Sequence, residues 1–168
     1  MHIELKYLNE INPHELAYFA NDPRVSFYLR NTFPYPYTLD YALSFINQVM
    51  QKNAVEFAIV VDNVCIGCIG VTFHQDIYQY NAEIGYWIGY DYWGRGIMGL
   101  VVSMFTKYLF ENFHIHKIFA EVFSENKASI HVLKKNNFKQ EAFLKDHIYK
   151  NNQFYDCEIY SCIREDIS

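Results

Sequence analysis

Tyr92-Trp93-Gly94-Arg95-Gly96-Ile97-Met98-Gly99 is the stretch whose reading decides the fold. It follows Ala82 to Ile88, which reads as a strand, and it opens an apolar run from Ile97 to about Phe110, which reads as a long helix. The first N–H groups of a helix have no partner within it, so a helix start is a natural anion site. Gly94 and Gly96 let the backbone approach a phosphate with no Cβ in the way. Arg95 adds a charged fork or a surface ion pair. The competing reading is a plain glycine-rich turn from strand to helix, and spacing alone does not decide between them. A P-loop is excluded, because its Gly-x-x-x-x-Gly-Lys spacing is missing. A dinucleotide fold would carry its glycines after the first strand, whereas these lie past mid-chain.

Working outward, Ile3, Leu5 and Tyr7 alternate with polar neighbours and read as a first strand. Pro13 opens a helix to about Ala20, and Asn21-Asp22-Pro23 stops it. Thr38 is a good N-cap for a helix to about Lys52, with an apolar stripe of Ala42, Phe45, Ile46, Val49 and Met50. Phe57 to Val61 and Val64 to Phe73 read as strands joined by the tight turn Asp62-Asn63. His116 to Phe123 is a strand, Lys127 to Lys135 a short helix, and Phe138 to Tyr149 with Tyr155 to Cys162 a last hairpin around Asn151-Asn152. This order predicts a mixed sheet with helices on both faces. Its 168 residues suit one domain, spanning 1–168.

The net charge of -5 and the absence of a long basic cluster argue against nucleic acid as the main partner. No apolar run reaches the length of a membrane span, and the N-terminus does not read as a signal peptide. The expectation is therefore a cytoplasmic protein with its four cysteines, Cys65, Cys68, Cys157 and Cys162, as free thiols and with no metal. Cys65 and Cys68 fall on a strand, where an i, i+3 pair points to opposite faces, which disfavours zinc. His114-x-His116 suits a strand metal pair, but no carboxylate or third His stands nearby in sequence, so a solvated loop is the expectation.

Ala82-Glu83-Ile84-Gly85-Tyr86-Trp87-Ile88, Tyr92-Trp93-Gly94-Arg95-Gly96, Asn126-x-x-Ser129 and Asn137-Phe138 together resemble the GNAT superfamily of N-acetyltransferases, and its RimJ/RimL branch most of all. The resemblance runs from about Leu5 to Arg164. It implies an α+β fold: a central mixed, mostly antiparallel sheet of about seven strands with helices on both faces. It also implies an enzyme that uses acetyl-CoA as co-substrate. Trp93, Gly94, Arg95, Gly96, Ile97, Met98 and Gly99 would cradle the CoA pyrophosphate. Trp87, Ile88 and Gly89 would pair with the pantetheine arm, Asn126 would contact that arm, and Ser129 would stand near the thioester sulfur. The chain departs from the family in having Gly99-Leu100-Val101 where many relatives have Thr-Glu-Ala, Asn137 where Gly is usual, and Leu133 where some branches have a Tyr acid.

Attack by an amine needs a base, because an alkyl amine is almost wholly protonated near pH 7. Glu83 is the candidate, and a surface ion pair is its alternative role. Its ordinary pKa, about 4.3, would have to rise by desolvation. The Ile88 N–H is the candidate donor to the developing oxyanion. Ser129 could protonate the leaving thiolate or simply cap its own helix. Phe33, Tyr35 and Tyr37, stiffened by Pro34 and Pro36, could wall an acceptor pocket or pin the loop to the core. The acceptor is expected to be a small-molecule amine or a protein N-terminus. A catalytically silent acyl-CoA sensor is the reading from another class. A sheet edge near the last hairpin could support a homodimer.

Overall fold

A computed structural model describes residues 1–167 of the chain. Seven strands form one sheet in the order β1-β2-β3-β4-β5-β7-β6. They are β1 (Ile3–Tyr7), β2 (Glu56–Val61), β3 (Val64–Phe73), β4 (Asn81–Ile88), β5 (Lys117–Phe123), β6 (Lys139–Lys150) and β7 (Gln153–Ile163). The helices are α1 (Pro13–Ala20), α2 (Pro23–Ser26), α3 (Leu39–Lys52), α4 (Ile97–Asn112) and α5 (Lys127–Lys135). The pairs β1–β2, β2–β3, β5–β7 and β6–β7 are antiparallel, and β4–β5 is parallel. The chain divides into two compact units, residues 1–71 with 85–97, and residues 72–84 with 98 onward; the boundary crosses β3 and β4. No helix among the described residues is long and apolar enough to cross a membrane.

In the first unit, local chemistry sets the helix ends. Asn12 caps α1 by accepting from the His14 N–H (3.0 Å), and Pro13 fills the first turn. Asp22-Pro23 does more than stop α1. Asp22 Oδ1 accepts from the Arg24 N–H (2.9 Å) and so starts the short helix α2. Thr38 caps α3 through the Tyr41 N–H (3.2 Å), and Asn53 ends it in the left-handed conformation at φ 48°. Ala42 and Val49 of α3 are buried beside Leu16, Ala17 and Ala20 of α1, over Ala58, Val60, Cys65 and Cys68 of the sheet. Met50, expected in the stripe, is 41% exposed instead. The apolar face is narrower than its spacing suggests.

The β2–β3 hairpin turns on Asp62 and Asn63 (φ 47° and 70°), a turn that Asp and Asn tolerate. Its register holds from Glu56↔Gly70 to Ile59↔Gly67 and then shifts, so that Val60 faces Cys65. One extra residue on β3, at Ile66, makes a bulge. The bulge overturns the expectation for the cysteines. The extra residue reverses the alternation, and Cys65 and Cys68 both join the core on the Ala58–Val60 face.

In the second unit, β4 pairs with β5 over Asn81–Glu83 against Lys117–Phe119. The β6–β7 turn is left-handed at both Asn151 and Asn152 (φ 51° and 60°). Val101, Val102, Phe105 and Leu109 of α4 are fully buried. At the end of α4, the Arg164 guanidinium donates to the Phe110 carbonyl (2.7 Å), one of the groups a helix end leaves unpaired, and to the carbonyls of Phe113 (3.0 Å) and Ile115 (2.7 Å) in the segment that follows.

Candidate active site

The turn that precedes α4 is built by two glycines. Tyr90–Tyr92 forms a single 3-10 turn, with the Trp93 N–H donating to the Tyr90 carbonyl at 3.0 Å. Gly94 and Gly96 follow at φ +71° and +76°. An L side chain strains there, by about 1–2 kcal/mol per residue. Apart from the adjoining residues and the backbone of α4 itself, no atom of the described residues lies within 4 Å of where a Cβ would stand at Gly94, Gly96 or Gly99. Those three positions are open among the described residues, which suits the approach of a phosphate. Ile97 and Met98 are buried and anchor the first turn of α4. Arg95 is exposed, its guanidinium 5.1 Å from the centre of the Tyr92 ring.

The end of β4 has a definite polarity. The Gly89 N–H donates to the bulge carbonyl of Ile66 at 2.8 Å, and the Trp87 carbonyl lies against Gly67. Both therefore face β3. Backbone groups of successive strand residues point to opposite edges. The N–H and carbonyl of Ile88 are thus aimed away from β3, and the Ile88 carbonyl accepts from Trp93 Nε1 at 2.9 Å. Of the three residues expected to meet a pantetheine arm, Ile88 offers the N–H on that outer edge, while the N–H of Gly89 is committed to β3.

The aromatic loop is packed inward. The Phe33 ring lies 5.0 Å from Tyr37 and 5.5 Å from Trp87, edge-on to the indole. Tyr37 is buried, and its N–H donates to Asn21 Oδ1 at 2.9 Å. Tyr35 is 57% exposed. Phe33 and Tyr37 thus form one wall with Trp87, and Tyr35 projects from it.

Sequence reasoning missed Glu56. It stands opposite Gly70 in the hairpin register, and its carboxylate occupies the place a Cβ would take at Gly70. Alternation puts Glu56 on the face of Ala58 and Val60, the face against which Trp87 packs. Protein surrounds the group on most sides, although the residue keeps some accessible surface. Burial pushes its pKa up to about 7, and no donor or cation among the described residues offsets this. Burial also raises Tyr37 above the ordinary phenol range, and the nearby acidic groups of Cys68, Tyr41 and Glu56 would add to the effect when ionised. The one available signal in the sequence was a carboxylate leading an apolar strand.

The second unit holds the other candidates. Glu83 is half-buried, with Oε2 3.9 Å from His74 Nε2, and the His74 ring lies 5.4 Å from Phe119, the register partner of Glu83 on β5. Asn126 caps α5, its Oδ1 accepting from the Ser129 N–H at 3.2 Å. That leaves the two Nδ2 hydrogens of Asn126 to offer a ligand. Ser129 is half-buried in the first turn of α5. Gly99 is held from α5, its carbonyl accepting from Asn136 Nδ2 at 3.1 Å. Asn137 adopts the left-handed conformation (φ 64°). His114 meets the Tyr80 ring, and His116 Nδ1 lies 3.8 Å from Glu165, at a cavity of about 310 Å³. Among the described residues, no three His, Cys, Asp or Glu gather as a metal site would require.

Residues 7–139 match the acetyltransferase (GNAT) domain family. The chain is 30% identical over 152 residues to an uncharacterized N-acetyltransferase, YoaA, of Bacillus subtilis, covering 88% of this chain and 85% of the relative. In three dimensions it resembles RimL, a ribosomal L7/L12 alpha-N-protein acetyltransferase solved in complex with coenzyme A (TM-score 0.82, 20% identity, 96% of this chain and 93% of the other). It also resembles the spermidine N-acetyltransferase of Vibrio cholerae solved with CoA and spermine (TM-score 0.79, 20% identity, 98% and 96%). With this match over most of its length, the chain belongs to the GNAT family of acetyltransferases.

Proposed function

We propose that residues 1–168 act as one N-acetyltransferase domain that uses acetyl-CoA and transfers its acetyl group to a primary amine by direct attack in a ternary complex. The observation that carries the reading is the open, left-handed turn at Gly94 and Gly96 directly before α4. Its N–H groups and the helix start suit a pyrophosphate. Acetyl-CoA supplies an acyl group already activated as a thioester.

The chain's own residues do the rest. Trp93 to Gly99 hold the phosphates, and Trp87 and Ile88 guide the arm along the outer edge of β4. The Ile88 N–H donates to the carbonyl oxygen as negative charge grows there. Asn126 donates from Nδ2 to the arm. Glu83 takes a proton from the incoming ammonium, directly or through water. The Ser129 hydroxyl is the donor to the departing sulfur. His74 is a positioning residue beside Glu83.

The test is thiol release from acetyl-CoA across alkyl amines, amino sugars and N-terminal peptides, with binding followed by calorimetry. Turnover on one class supports the reading and names the acceptor. Acetyl-CoA binding without turnover on any class favours a sensor, and absence of binding removes the cradle. Gly94→Ala places a methyl in the cradle and strains the turn. The methyl is expected to weaken acetyl-CoA binding about tenfold, or ~1.4 kcal/mol, by crowding the phosphate, while the ~1–2 kcal/mol strain of a left-handed alanine lowers the unfolding temperature by only a few degrees. Unchanged affinity in that variant would count against the phosphate role of the turn.

A further inference from the structure

We infer that Glu56 is a specificity residue that holds a second cationic group of the acceptor, remote from the nitrogen that is acetylated. The inference rests on the proposed acetyl transfer and on the oxyanion role of the Ile88 N–H.

Three observations converge. First, Glu56 is a carboxylate largely surrounded by protein that has neither a cation nor a hydrogen-bond donor among the described residues. Such a group is costly unless something pairs with it. An ammonium supplied by a ligand would provide both charge and donors. Second, its neighbours suit a cation. Glu56 lies on the sheet face that carries Trp87, and its charge reaches Tyr37, whose ring touches Phe33. Aromatic faces attract ammonium groups. Gly85 lies on the same face of β4 as Trp87 and is exposed, with no atom of the described residues beyond its chain neighbours within 4 Å of where its Cβ would stand, so the floor there is open.

Third, the spacing excludes the reacting nitrogen. Gly67 abuts Ile88, with the Ile88 Cα 2.8 Å from a Cβ placed on Gly67. Gly70, under the Glu56 carboxylate, is three residues further along β3, or about 10 Å at a rise of ~3.3 Å per residue. A base acting on the attacking nitrogen must come within hydrogen-bond reach of it or use one water. Glu56 stands too far off for that, and at a distance a short aliphatic diamine can bridge. The acceptor class is therefore a primary amine with a second positive charge a few methylenes away.

The experiment measures binding and turnover separately, with 1,4-diaminobutane, 1,5-diaminopentane and butylamine as probes and CoA or acetyl-CoA present. The wild-type protein is expected to bind at least one diamine tenfold or more tightly than butylamine by calorimetry. Glu56→Gln should erase that preference and raise the diamine KM at least tenfold, with the KM for acetyl-CoA unchanged and kcat within about threefold. A diamine preference that survives in Glu56→Gln, or no preference in the wild type, overturns the inference. Diamine binding that depends on Glu56 without turnover of any amine supports the subsite and counts against acetyl transfer. Turnover of amines without a Glu56-dependent preference does the reverse. Integrity of the variant is read from its unfolding. Glu56 has a raised pKa, so in the wild type its ionisation costs stability as pH rises from about 4.5 towards 7. The glutamine variant should therefore gain in unfolding temperature relative to wild type across that window, and a gap independent of pH would show that the carboxyl is not buried as described.

Discussion

Glu83→Gln should lower kcat by about 10²–10⁴-fold, the range typical of a lost general base, while acetyl-CoA affinity stays within about twofold of wild type. Glutamine keeps the size and the hydrogen-bonding reach of the side chain and removes only its basicity. The competing role is structural, because Glu83 Oε2 stands 3.9 Å from His74 Nε2. A structural role makes a different forecast: the variant would lose stability, and kcat would hold once folding is accounted for. His74→Gln separates the two further. If His74 orients Glu83, its loss should cost kcat more modestly than Glu83→Gln and leave the KM for acetyl-CoA unchanged. If the pair only steadies the strand, His74→Gln should lower the unfolding temperature and leave kcat unchanged. Equal loss of acetyl-CoA binding and of turnover in Glu83→Gln would remove Glu83 as the base.

Gly67→Ala should be among the most destabilising single-methyl additions in the chain. The new Cβ would overlap the Trp87 carbonyl oxygen and stand 2.8 Å from the Ile88 Cα, and both obstacles are backbone. A flexible side chain could swing aside, but a strand cannot without breaking the Gly89 N–H bond to Ile66. Overpacking of this kind costs typically 1–3 kcal/mol, and a backbone obstacle argues for the upper end. At this chain length that is a fall in unfolding temperature of roughly 6–12 °C. Gly85→Ala is the control, because its Cβ would meet nothing within 4 Å, and it should unfold within about 2 °C of wild type. Equal unfolding temperatures for the two variants would mean that β4 does not press on Gly67. The displaced strand end carries Ile88, so acetyl-CoA binding should weaken in Gly67→Ala as well.

Much of the fold was legible because the chain marks its own punctuation. Pro13 and Thr38 open helices, and Asp62-Asn63 and Asn151-Asn152 accept the left-handed angles of tight hairpins, whereas the cap of α5 is Asn126 and not the Ser129 hydroxyl. Residues that act through their own backbone neighbours can be read from sequence. Those that act through distant partners cannot. Asp22 was legible as a stop but not as a second cap, because the same residue serves both. The bulge at Ile66 left no mark in the hydrophobic period, since β3 is buried on both faces and its alternation is masked. Glu56 became conspicuous only when the register set it over Gly70 and the core closed around it. Tyr35 and Tyr37 differ in sequence only by position around Pro36, yet one is exposed and the other buried.

The cysteines offer a practical benefit. All four are buried, two in each compact unit, and burial lifts every one of their pKa values, Cys157 and Cys162 to about 11. Thiolates, not thiols, attack a chromogenic disulfide, so near neutral pH the folded enzyme contributes almost no colour of its own to a thiol-release assay. The same reticence makes them a clock. A slow alkylating reagent can mark Cys65 and Cys68 only when the first unit opens, and Cys157 and Cys162 only when the second does. Peptide mapping of the labelled chain then times the two openings independently in a single tube.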